Sequence, residues 1–225
     1  MSFPAYKIYD DGAAVADDAC KKILATAKQA ISERGAFRLV MAGGGTPEAT
    51  YRKLASADAD WANWHIYFGD ERCLPADNAE RNSVMAARSL TDHVSIPVTN
   101  VHVMAAELGA AAAAASYAET IANALPFDMV LLGMGEDGHT ASLFPGHVHD
   151  MQETVHAVHE APKPPSDRLS LSAKTLSNTR HLLMLITGEG KREALQQWRA
   201  GEDLPITTIN AEDMLVMLDM AAWPE

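Results

Sequence analysis

Two kinds of apolar segment alternate along the chain. Phe37–Ala42 (FRLVMA), His65–Phe68 (HIYF), Val101–Met104 (VHVM), Phe127–Leu132 (FDMVLL) and His181–Thr187 (HLLMLIT) are short and nearly continuous in apolar residues. Runs of that kind suit strands covered on both faces. Between them lie longer segments with helical spacing: Ala13–Arg34, Pro47–Ser56, Asn82–Asp92, Ala110–Leu125 and Lys191–Ala200. In the first of these Val15, Ala19, Ile23, Ala27 and Ala30 recur on one face, and Gly35 stands where a C-cap glycine is expected. Thr46 before Pro47 predicts an N-cap followed by proline in the first helical turn. The alanine run Ala110–Ala115 predicts a surface helix. Strand–helix alternation from end to end predicts an α/β fold: a mostly parallel sheet flanked by helices on both faces. Pro162, Pro164 and Pro165 mark a rigid loop rather than a linker, because the alternation resumes straight after them. With no internal repeat, residues 1–225 are expected to form a single domain.

Composition narrows the class. The chain has 225 residues, is 48% hydrophobic and carries a formal net charge of −12, ample for a buried core with a site on it. Phosphate backbones reward clustered Lys and Arg, so this balance argues against nucleic-acid and membrane-surface binding. No run approaches the 18 or more apolar residues of a membrane span, and the start MSFPAYKIYDDG lacks the basic-then-apolar pattern of an export signal. Cys20 and Cys73 are therefore expected as reduced thiols in a cytoplasmic enzyme.

Four segments carry candidate chemistry. Gly43-Gly44-Gly45-Thr46-Pro47 follows a strand and opens a helix. Glycines let backbone approach an anion, and a helix N-terminus offers unpaired N–H groups, although neither a Walker loop nor a dinucleotide fingerprint is present. Phe68-Gly69-Asp70-Glu71-Arg72 lies at another strand end; Arg72 there could hold a developing oxyanion, with Asp70 orienting it or a water. The third segment, Leu132 to Gly146 (LGMGEDGHTASLFPG), runs from the most apolar strand into a glycine-rich loop holding Asp137 and His139. Histidine is the side chain best suited to general-base work near neutral pH. Ser142 lacks a nucleophile elbow. His147 and His149 have no spaced Cys or carboxylate to complete a metal set. The fourth pair is Arg168, after the proline loop, and Lys191, after LLMLITGEG; both could converge on the same anion as the glycine triplet.

GGGTP, FGDERCLP, FDMVLLGMGEDGHTASLFPG and ITGEGK, in this order, resemble the 6-phosphogluconolactonase family, from about Phe37 to the C-terminus. The resemblance implies a Rossmann-like fold shared with glucosamine-6-phosphate deaminases and ribose-5-phosphate isomerases. It implies hydrolysis of the lactone formed in the first step of the oxidative pentose phosphate pathway. His139 would be the base that activates water, Asp70 and Arg72 would shape the lactone end, and Gly44, Gly45, Thr46, Arg168 and Lys191 would hold the 6-phosphate. Two positions depart from the family pattern: Gly45 stands where a serine is usual, and Arg81 precedes Asn82 where a serine is usual.

Such a hydrolysis needs a base, donors for the tetrahedral oxyanion and a substrate anchor, and no cofactor or metal. Arg72 or backbone N–H groups of Gly133–Gly138 could serve as the oxyanion donors. The net negative charge does not forbid an anionic substrate, because local cations act within about a Debye length, ~8 Å. The expected partner is a small sugar-phosphate lactone, with no nucleic acid and no membrane, on a monomer or weak homodimer. A deaminase of the same fold would continue past the histidine with an Asn-Glu-Pro type segment, where this chain reads Thr-Ala-Ser-Leu-Phe-Pro-Gly. A sugar-phosphate-sensing regulator would add a basic DNA-binding module, for which about 36 residues before the first strong strand leave no room.

Overall fold

The computed structural model describes residues 3–148, 150 and 152–224; His149 lies outside them. A six-stranded, wholly parallel sheet has the order β1-β9-β8-β5-β2-β3. Its strands are β1 (Tyr6–Tyr9), β2 (Phe37–Met41), β3 (Trp64–Phe68), β5 (Phe127–Leu132), β8 (Thr179–Ile186) and β9 (Asp213–Asp219). A second, antiparallel sheet of three strands has the order β4-β7-β6, from β4 (Asp70–Arg72), β6 (Val155–Val158) and β7 (Arg168–Leu171). The helices are α1 (Gly12–Arg34), α2 (Gly45–Leu54), α3 (Asn82–Ala86), α4 (Ala110–Ile121), α5 (Ala173–Ser177) and α6 (Arg192–Ala200).

The central strand β5 is buried at all six positions, as its unbroken apolar run requires. Helix α1 buries Val15, Ala19, Ile23, Ala27 and Ala30 against the parallel sheet and ends at Gly35 in the left-handed conformation, φ +79°. Helix α2 packs on α1. Its Tyr51, fully buried, donates its hydroxyl to the carbonyl of Ala42 (3.0 Å) and accepts from the Ala42 amide (2.9 Å), which ties the helix to the chain leaving β2.

Several expectations need correction. Val101–Met104 is not a strand: only Val101 bridges, to Ile66, because Val98–Asn100 forms a 3-10 turn just before it. Thr46 is not the N-cap of α2. The helix begins two residues earlier, at Gly45, with Gly44 as its cap at φ +103°, a conformation glycine adopts without strain. The helix predicted over Asn82–Asp92 is α3 followed by a π turn, Ala87–Thr91. The alanine-rich helix ends at Ile121 and is half-buried, its Ala110, Ala113, Ala114, Tyr117 and Ile121 turned inward and the helix packed on β6 and β7. The apolar alternation had not marked β1, β9 or the small sheet. Neither cysteine is in a disulfide, and no described helix is long and apolar enough to cross a membrane.

The strand order places the site. From β2 the chain continues outward to β3, whereas from β5 it proceeds the other way, to β8 and β9. The loops leaving β2 and β5 therefore diverge, and in open α/β sheets a ligand crevice forms at such a switch point. The glycine triplet follows β2 and the Gly133–Gly146 loop follows β5. A Cβ built on Gly133 would lie 4.0 Å from the Gly43 carbonyl oxygen, so the two loops abut.

Candidate active site

All eight residues singled out in the sequence line one cavity of about 560 Å³ at this switch point: Gly44, Gly45, Thr46, Asp70, Arg72, His139, Arg168 and Lys191. Asn82, Lys163 and Thr187 line it too.

One wall is the N-terminus of α2. No side chain caps it, and Pro47 has no N–H to offer, so the amides of Gly45 and Thr46 remain for an anion. The Thr46 and Thr187 hydroxyls meet at 2.5 Å, joining this helix to the end of β8. Gly45 has no atom within 4 Å of a built Cβ, so the space a family serine would take is open. Gly43 has no such freedom: a Cβ there would sit 2.3 Å from Asn82 Oδ1.

The loop after β5 forms the opposite wall. The Gly135 amide donates to the His139 carbonyl (2.7 Å), the Gly138 amide to the Gly135 carbonyl (3.1 Å), and the Thr140 hydroxyl to the Gly133 carbonyl (2.8 Å). Gly138 takes φ +76°, and Ala141, three residues on, takes φ +48°, an unusual conformation of the kind that gathers at functional sites. The turn brings Asp137 back to its neighbour two residues on: Asp137 Oδ1 accepts from both the His139 amide (3.2 Å) and the imidazole Nδ1. With Nδ1–H given to the carboxylate, the lone pair of His139 lies on Nε2. The Phe144 ring packs against the imidazole at 4.8 Å. Burial lowers the His139 pKa from the ordinary imidazole value, reinforced by the charge of Lys163 and opposed by Asp137 and Asp70. The net effect favours the neutral imidazole. Burial raises the Asp137 carboxyl, but the hydrogen bonds and charge from His139 outweigh it and the net shift is downward.

The floor comes from the small sheet. Asp70 is 6% exposed, and its Oδ2 accepts from the Ser142 hydroxyl (2.6 Å) while Oδ1 accepts from Asn82 Nδ2 (3.0 Å). Ser142, no nucleophile by its sequence context, thus serves as a donor that aims Asp70. Glu71 faces away: it is fully buried and accepts from the amides of Arg72, Asn82 and Ser83 at 2.7–2.9 Å. Arg81, the second departure from the family pattern, is also buried, 3.4 Å from Glu71 and 2.7 Å from Glu107. Its guanidinium is a strut behind the site and does not line the cavity.

Arg72 and Arg168 stand opposite each other on the antiparallel β4–β7 pair. Like charges so placed are destabilising unless something anionic lies near. Neither has a carboxylate within ion-pair distance among the described residues, and Arg72 Nε is a buried donor without a partner. Arg168 donates Nε to the Pro165 carbonyl (3.1 Å) and Nη2 to those of Lys163 (2.9 Å) and Pro164 (3.0 Å), and its guanidinium lies 5.4 Å from the Phe144 ring centre. Burial depresses its pKa, as does Arg72, against Asp70. Lys191 follows the Gly188 loop, whose amide is held by Asp219 at 2.9 Å. Burial lowers its pKa, Glu136 opposes and Lys163 reinforces. Among the described residues no group of three or more His, Cys, Asp or Glu is placed to hold a metal.

The sequence model of a family described as glucosamine-6-phosphate isomerases/6-phosphogluconolactonase matches residues 10–217. A 6-phosphogluconolactonase of Mycobacterium tuberculosis is 34% identical over 237 aligned positions, which cover 96% of each chain. One from Streptomyces coelicolor is 35% identical, over 88% of this chain and 84% of its own. The chloroplastic 6-phosphogluconolactonase 3 of Arabidopsis thaliana is 34% identical, but the match spans only 63% of that longer protein. Among solved structures, a 6-phosphogluconolactonase from Thermotoga maritima superposes with a TM-score of 0.89 at 28% identity, covering 96% of this chain and 98% of that one. A monomeric glucosamine-6-phosphate deaminase shares the fold, with a TM-score of 0.82 at 21% identity over 97% and 98% of the two chains.

Proposed function

The chain belongs to the glucosamine-6-phosphate isomerase/6-phosphogluconolactonase family, and we propose that it hydrolyses 6-phospho-D-glucono-1,5-lactone to 6-phospho-D-gluconate in the oxidative pentose phosphate pathway. The observation that carries this reading is the pairing across one cavity of a neutral, carboxylate-oriented His139 with an uncapped helix N-terminus and unpaired cations. That arrangement supplies a base at one end and a phosphate anchor at the other.

In the proposed reaction, Nε2 of His139 takes a proton from water as the oxygen adds to the lactone carbonyl carbon. The imidazolium that forms is stabilised by Asp137. Arg72 holds the oxyanion; the amides of Gly135 and Gly138 are already engaged within the loop and serve less well. When the tetrahedral intermediate collapses, the bond from the carbonyl carbon to the ring oxygen breaks, and the proton on His139 passes to that oxygen as it becomes the 5-hydroxyl. The new carboxylic acid loses its proton to solvent. Asp70, fixed by Ser142 and Asn82, orients the lactone end. The amides at Gly44, Gly45 and Thr46, the ammonium of Lys191 and Nη1 of Arg168 hold the phosphate. The other Arg168 donors are spent on the proline loop.

The purified protein is offered the lactone and, separately, glucosamine 6-phosphate, with acid and ammonia release followed. Acid from the first alone supports the proposal; ammonia from the second would replace it with the deaminase reading. His139→Asn, which cannot accept the proton, lowers kcat by about 10²–10⁴-fold if His139 is the base. Near wild-type kcat, after subtraction of spontaneous lactone hydrolysis, removes His139 from the mechanism.

A further inference from the structure

Lys163, between two prolines in the sequence, lines the cavity together with His139, Arg168 and Lys191. We propose that Lys163 is a further substrate-binding residue, an ammonium for the substrate's phosphate group, held at the cavity mouth by a loop that Arg168 latches. The inference rests on the lactonase reading and names a residue that reading does not include.

The backbone explains why the lysine is held there. Pro162, Pro164 and Pro165 have fixed φ angles, and their nitrogens donate no hydrogen bond, so the loop has little capacity to stabilise itself. Arg168 supplies what is missing: its buried guanidinium donates to the carbonyls of Lys163, Pro164 and Pro165, three consecutive residues, at 2.9–3.1 Å. A buried charged donor shared among three carbonyls fixes the loop over the cavity and sets the direction from which the Lys163 side chain departs.

Electrostatics explain what the ammonium is for. It has no carboxylate within ion-pair distance among the described residues, and the charges it acts on are His139 and Lys191. Placing a further cation beside Lys191 is unfavourable unless an anion lies between them. A phosphate monoester, with about −1.5 to −2 charges at pH 7, reverses that sign. The same ammonium disfavours the protonated form of His139, which is faced also by Asp137 and Asp70.

The test uses calorimetric binding of 6-phosphogluconate, inorganic phosphate and unphosphorylated gluconate to the wild type, Lys163→Gln and Lys163→Arg. Lys163 is exposed, so the substitution leaves folding intact. Expected is about a tenfold loss of affinity for 6-phosphogluconate and for phosphate in K163Q, recovery to within about threefold in K163R, and no change for gluconate. The acid limb of the pH–rate profile should also move to higher pH in K163Q, because a cation beside His139 is gone. Equal affinity of wild type and K163Q for 6-phosphogluconate, or an equal loss for gluconate, overturns the proposal. A wild type that does not turn over the lactone refutes the function above, while the binding comparison still decides the role of Lys163.

Discussion

Gly135→Ala tests whether the observed position of His139 matters, without altering any titratable group. A Cβ built on Gly135 would lie 2.0 Å from His139 Nδ1, 2.1 Å from its Cε1 and 2.6 Å from Asp137 Oδ1, where real Cβ contacts essentially never fall below 3.0 Å. Gly135 is not in the left-handed region, so alanine fits the local backbone and the conflict is with the ring. To restore contact the imidazole must withdraw by about 1 Å, and it must do so against the carboxylate that orients it. A displacement of about 1 Å in a reacting group costs about 10²-fold in rate, or about 2.7 kcal/mol of transition-state stabilisation. The expected result is a fall of about two orders of magnitude in kcat. Affinity for 6-phosphogluconate should stay within about threefold, because the α2 N-terminus and Lys191 are untouched. The assay is initial-rate acid release from the lactone with the spontaneous rate subtracted at each pH, alongside calorimetric titration and a thermal melt to confirm folding. A folded variant with kcat within threefold of wild type would refute the argument, since the Nδ1–carboxylate geometry would then be irrelevant to the chemistry.

The base must be neutral to act, and burial lowers the His139 pKa, so kcat/KM should fall on the acid side through a midpoint below that of an ordinary histidine; a midpoint above that of an ordinary histidine contradicts the assignment. Asp137→Asn removes an influence that raises the His139 pKa, so the same limb should move to still lower pH while kcat falls, as pH–rate profiles of the two proteins would show. Glu71→Ala leaves the amides of Arg72, Asn82 and Ser83 without their acceptor and Arg81 with Glu107 as its remaining carboxylate, and chemical denaturation should report a loss of about 3–5 kcal/mol. Prolonged EDTA treatment should leave lactone hydrolysis intact; activity lost and then restored by Zn²⁺ or Mg²⁺ would show that the reaction uses a metal.

Much of this protein follows from short-range pattern. An unbroken apolar run such as Phe127–Leu132 can be satisfied only between two covering layers, so a parallel sheet was legible in the sequence. The glycine-rich segments after β2 and β5 were legible as sites because glycine at a strand end has few local purposes other than turns and close approach. His139 stood out by its context in the same way. Less legible were elements whose signal is weak or shared. The edge strand β1 is mostly exposed, with only Tyr9 partly buried. The three residues of β4 read as a charged turn, because their partner β7, which pairs Asp70 with Ser170 and Arg72 with Arg168, lies far along the chain.

What tertiary structure alone decided is which way each polar group turns and what it meets. Asp70 and Glu71 are adjacent acids of nearly equal chemistry, yet one enters the cavity and the other caps a buried turn, because successive strand residues point to opposite faces. Arg72 and Arg168 become an unbalanced cationic pair only through strand pairing. Ser142 becomes a support for Asp70 and Lys163 a lining residue only because distant loops return to one sheet edge. Periodicity along a chain encodes burial, which is local and averaged over a segment. A catalytic constellation depends on single contacts between residues far apart in sequence, and those exist only once the sheet order has brought the strand ends together.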